Sequence, residues 1–94
     1  MNDPEARKVL LEALEKYRSC SFAQLRDLMK SGPQVQEREC PTGVKYQLEI
    51  EAFWDGGERG PVRVTGSIDD MGRRAFAPLS ESFIMAPDGS FVGE

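Results

Sequence analysis

Cys20 and Cys40 are the only thiols in this 94-residue chain, which has no histidine. Without imidazole, the commonest general base and metal ligand are missing, so neither a Ser-His-Asp nor a Cys-His device can be assembled from these residues. A nucleophilic thiol needs a base or a basic setting to become thiolate near neutral pH. Neither cysteine belongs to a Cys-x-x-Cys pair, and no zinc-ligand spacing is present. Both read as structural or incidental thiols that stay reduced.

Carboxylates are the next candidates. Asp69-Asp70 is the one adjacent acidic pair. Such a pair can hold a divalent cation or do acid–base work, but Asp-Asp-Met-Gly-Arg-Arg lacks the alternating oxygen ligands and closing Glu of a calcium loop. The same residues suit a turn, with Asp opening it and Gly closing it. Arg73 and Arg74 follow and can pair with those acids across the turn. A small-ligand binder or carboxylate-based enzyme would use Asp69, Asp70 or Glu81, with one of them in a pocket between helices and sheet. Gly56, Gly57 and Gly60 lack the Lys and following helix of a phosphate loop and read as a hairpin loop.

Recognition chemistry has one candidate. Phe53 and Trp54 are neighbours, so on a strand they point to opposite faces. Trp54 continues an apolar series and belongs to the core. Phe53 interrupts a polar series and, with Glu49, Glu51 and Arg63, forms a candidate interaction surface. Arg63 is expected to face Glu49 or Glu51 as a cross-strand charge pair.

The elements that must position these residues follow from periodicity. Asp3 and Pro4 suit a helix start, and Ala6, Val9, Leu10, Ala13, Leu14 and Tyr17 fall on one stripe. Ser21 with Gln24 is a capping box opening a second helix, with Phe22, Leu25, Leu28 and Met29 as its apolar face. Helices are therefore expected at about 4–18 and 22–30. From Pro33 the period becomes 2. Strands are expected at about 34–39, 44–54, 62–69, 73–79, 83–86 and 90–92, with Ser80–Ser82 as a link. The charged 34–39 segment suits a sheet edge. The 44–54 segment, with Val44, Tyr46, Leu48, Ile50, Ala52 and Trp54 alternating against polar residues, is long enough to require strong twist or a bulge. The fold class that results is α+β. Two N-terminal helices pack on one face of a twisted antiparallel β-meander of four to five strands, in a single domain spanning 1–94.

The segment Val-Leu-Leu-Glu-Ala-Leu-Glu-Lys-Tyr-Arg-Ser-Cys-Ser-Phe-Ala-Gln-Leu-Arg-Asp-Leu-Met, residues 9–29, is similar to the opening of a winged-helix DNA-binding domain. The chain departs from that pattern after Leu28-Met29, where Ser-Gly-Pro and β periodicity replace a third helix. No function is carried over.

Charge narrows the partners. Residues 1–32 hold six Lys/Arg and five Asp/Glu, a net +1, whereas the remaining six and eleven give residues 33–94 a net −5. An acidic sheet half counts against nucleic acid and against anionic membrane surfaces, and it suits a basic protein partner. No apolar run approaches a membrane span and the N-terminus has no apolar leader segment, so a cytoplasmic location is expected. No cofactor or metal is expected. The functional expectation is a small non-enzymatic protein-interaction or regulatory module, with the toxin-neutralising (immunity) type as one form of it. It would bind another protein, or its own copy, through a sheet edge or the Phe53 face.

Overall fold

The computed structural model describes residues 3–70 and 79–94. Helix α1 spans Asp3–Arg18 and helix α2 spans Phe22–Ser31. Strands β1 (Gln34–Glu39), β2 (Lys45–Trp54), β3 (Val62–Asp69) and β4 (Leu79–Met85) form one antiparallel sheet in the order β1-β2-β3-β4. The expected α+β architecture, helices on one face of a meander, is the one observed.

Local chemistry accounts for the element ends. The Ser21 backbone N–H donates to Gln24 Oε1 at 2.8 Å, and the Gln24 N–H donates to Ser21 Oγ at 3.1 Å, so both halves of the capping box are made. Gly32 ends α2 with φ +78°, a conformation that suits glycine.

The helix-facing side of the sheet carries Tyr46, Leu48, Ile50 and Ala52 from β2, Val62, Val64 and Ile68 from β3, and Phe83 and Met85 from β4. All are buried with Ala6, Val9, Leu10, Ala13 and Leu14 of α1 and Leu25 of α2. Trp54 is half-buried at the margin of this core, 6.4 Å from the Phe22 ring. Gly66 sits where α1 crosses β3. A Cβ there would lie 2.9 Å from Leu10 Cδ1, 3.0 Å from Ile50 Cδ1 and 3.1 Å from Leu14 Cδ2, so the missing side chain is what lets the helix approach.

Two expectations are corrected. Ser80–Ser82 is not a link: β4 starts at Leu79 and runs through it to Met85, paired residue for residue with β3. Small polar residues hide the period there, but Leu79, Glu81, Phe83 and Met85 still alternate against Ser80, Ser82 and Ile84. The 90–92 segment makes an isolated bridge, Phe91 to Met85, rather than a strand. Of the twist or bulge expected for the long β2, the bulge is absent, because its register with β1 and with β3 is unbroken from end to end. The expected 73–79 strand lies outside the described residues except for Leu79, as do Arg73 and Arg74.

Candidate functional site

Both helices lie on one side, and the β registers define what the other side presents. Val35, Glu37 and Glu39 of β1 share that face with Lys45, Gln47, Glu49, Glu51 and Phe53 of β2. Thr65 and Ser67 of β3 continue it, and Arg63 and Asp69 bound it at the two ends of the strand. Carboxylates outnumber cations there: Glu37, Glu39, Glu49, Glu51 and Asp69 against Lys45 and Arg63. Val35 is 55% exposed and Phe53 41% exposed. The out-of-pattern aromatic is therefore open to solvent.

The partner expected for Arg63 is corrected. Trp54 stands opposite Val62, with the Asp55 N–H donating to the Pro61 carbonyl at 2.9 Å, so Arg63 stands opposite Phe53. Glu51 and Glu49 stand opposite Thr65 and Ser67 instead. Arg63 Nε donates to Asp55 Oδ1 at 3.1 Å, and its Nη1 donates to Ser82 Oγ at 3.1 Å. Arg63 faces Ile84 on its β4 side. The row Phe53–Arg63–Ile84 thus places a tethered guanidinium between an exposed aromatic and a half-buried aliphatic. Aromatic and Arg side chains held in place in this way are the residue types that dominate protein–protein contacts.

The three carboxylates considered for catalysis are dispersed. Glu81 lies on the helix side, opposite Gly66, and ion-pairs with Arg7 of α1. Asp69 ends β3 opposite Gln47 on the open side, and Asp70 follows it. Asp70 contributes to the field that disfavours the Tyr46 phenolate. None of the three lines the groove described next.

That groove, of about 380 Å³, runs between the first half of α1 and the end of β1, lined by Glu5, Lys8, Val9, Glu12, Arg38, Glu39, Cys40 and Pro41. At its end Glu5 gathers hydroxyl donors: Tyr46 Oη donates to Oε1 at 2.8 Å, and Thr42 Oγ1 lies 2.9 Å from Oε2. Burial, the hydrogen bond to Glu5 and the Glu5 charge together push the Tyr46 phenol up to about 12. Burial and then the Glu5 charge also raise the Cys40 thiol, keeping it protonated and a poor nucleophile. Cys20 and Cys40 are both free. Glu5 carries no sequence signal beyond a favourable place in the first turn of a helix. Its meeting with Tyr46 depends on how α1 crosses the sheet, which no local pattern encodes.

Among the described residues, no three His, Cys, Asp or Glu gather in a way that could hold a metal ion. No helix there is long and apolar enough to cross a membrane. No protein-family model matches the chain, and no curated protein or solved structure matches it either.

Proposed function

We propose that the chain is a small non-enzymatic protein-interaction module, regulatory or toxin-neutralising in kind, whose open sheet face receives a partner carrying basic residues. The observation that carries this reading is the one-sided sheet. Helices cover one face, while the other leaves Phe53 exposed beside Arg63 and next to the acids of β1 and β2. An exposed aromatic set among like-signed charges offers a contact centre and a rim that steers an oppositely charged surface.

The test compares affinity capture by the wild-type protein, by Phe53→Ala and by Glu49→Lys/Glu51→Lys, after thermal melting shows that all three are folded. Proteins held by the wild type should elute with salt and be lost from both variants. An identical captured set for all three counts against the reading.

The groove favours a second reading, a small-ligand binder. Its acids would be Glu5 and Glu12 rather than Asp69, Asp70 or Glu81. Ligand-induced melting shifts lost on Val9→Trp, which fills the groove, would support it.

A further inference from the structure

The two edges of the sheet are treated differently. At β4 the chain returns on itself: the Ala86 N–H donates to the Ser90 carbonyl at 2.8 Å, and the Val92 N–H donates to the Ile84 carbonyl at 2.9 Å. Arg18 holds this return from α1. Its guanidinium carbon lies 5.0 Å from the Phe83 ring centre and 4.7 Å from that of Phe91, and its two Nη atoms donate to the two Glu94 carboxylate oxygens at 2.8 Å. The β1 edge has no such cover among the described residues, and the sheet order ends there.

The groups that β1 offers can be deduced. The Cys40 N–H donates to the Val44 carbonyl at 2.9 Å, so Cys40 and Val44 form a hydrogen-bonded pair. In an antiparallel ladder such pairs alternate with non-bonded ones. Counting back along the register, Arg38–Tyr46, Gln36–Leu48 and Gln34–Ile50 are hydrogen-bonded pairs. The N–H and C=O groups of Val35, Glu37 and Glu39 therefore point away from β2, into the free edge. These same residues carry their side chains on the open face. A strand added to β1 would form its hydrogen-bonded pairs with Val35, Glu37 and Glu39, placing its own side chains beside theirs.

Resting on the interaction reading above, we propose that β1 takes up an extended basic segment of a partner protein as an added antiparallel strand. From its N-terminus the segment reads Lys/Arg, any residue, Lys/Arg, any residue, apolar. The two cations stand opposite Glu39 and Glu37, and the apolar residue stands opposite Val35. Backbone pairing provides the affinity, and the alternate side chains provide the selectivity. A second copy of this chain fits poorly. Pairing β1 with itself about Glu37 sets that carboxylate against its twin, a shift toward its C-terminal end sets Arg38 against Arg38, and a shift the other way sets Gln36 against Gln36 and gives neither Glu37 nor Glu39 a cation. The only cations two residues apart in the chain, Lys16 and Arg18, lie in α1.

The test uses the peptide acetyl-Thr-Lys-Thr-Lys-Thr-Val-Thr-amide with isotope-labelled full-length protein. Amide exchange at Val35, Glu37 and Glu39 should slow on adding peptide, with Gln34, Gln36 and Arg38 little changed. Glu37→Lys/Glu39→Lys should weaken binding about ten-fold. The peptide with Glu in place of both Lys should restore binding to that variant. Shifts centred on Phe53 and Arg63 without protection on β1 would overturn strand addition while leaving the open-face reading standing. No binding at all, or concentration-dependent protection of β1 without peptide, would also overturn it.

Discussion

Tyr46 and Glu5 show how one hydrogen bond ties a helix to a sheet in this molecule. Tyr46 is fully buried, and its hydroxyl donates to the Glu5 carboxylate at 2.8 Å. Tyr46→Phe should lower stability by about 1–2 kcal/mol at neutral pH, measured by denaturant unfolding. The pH dependence has a definite sign. The folded phenol holds its proton up to about 12, against an ordinary value of 10.0. The native state therefore binds more protons in that window, and stability present below pH 10 is lost as pH rises toward 12. Tyr46→Phe should flatten that decline. Phe53 is a contrasting case: 41% exposed and opposite Arg63, it supports little of the core. Phe53→Ala should change stability by less than about 1 kcal/mol in the same unfolding experiment. A large loss would mean that this ring serves packing rather than recognition.

Among the elements, α1 is the organising piece, because it crosses the sheet over Gly66 and reaches the C-terminal return through Arg18. Gly66→Ala should cost about 1–3 kcal/mol, since Leu10, Leu14 and Ile50 are all tightly packed and must move together to admit a methyl group. Arg18→Gln should speed amide exchange at Val92 while leaving Ile50 protected. The Glu94 carboxyl, held below its ordinary value of 4.5 by the Arg18 hydrogen bond, should keep the return in place until the pH falls through its lowered folded value. Much of this layer was legible in the sequence. The stripe of α1, the Ser21–Gln24 box and the alternation from Val44 to Trp54 each followed from side-chain periodicity and capping chemistry. Ser80–Ser82 was not legible, because its strand state comes from pairing with β3 and not from residues that favour strands. The partner of Arg63 was hidden for a related reason. It depends on where the loop after Trp54 restarts the ladder, a register that alternation alone leaves open.

For the molecule as a whole, the proposed function rests on the asymmetry between the two sheet faces. The candidate surface at Phe53, Glu49, Glu51 and Arg63 could be named from the sequence because Phe53 breaks a polar series. The Glu5–Tyr46 cluster could not, because its members are 41 positions apart and meet only in the folded chain. The open face and the β1 edge meet at Glu37 and Glu39, so the proposed basic partner would engage both through the same charges. The most direct measurement is the amide spectrum of isotope-labelled protein in cell lysate at low and high salt. Signal loss should concentrate at Glu37, Glu49, Phe53 and Arg63, with the outer face of α1 unaffected, and should reverse as salt screens the acidic surface. Uniform broadening, or loss centred on the helices, would contradict the account.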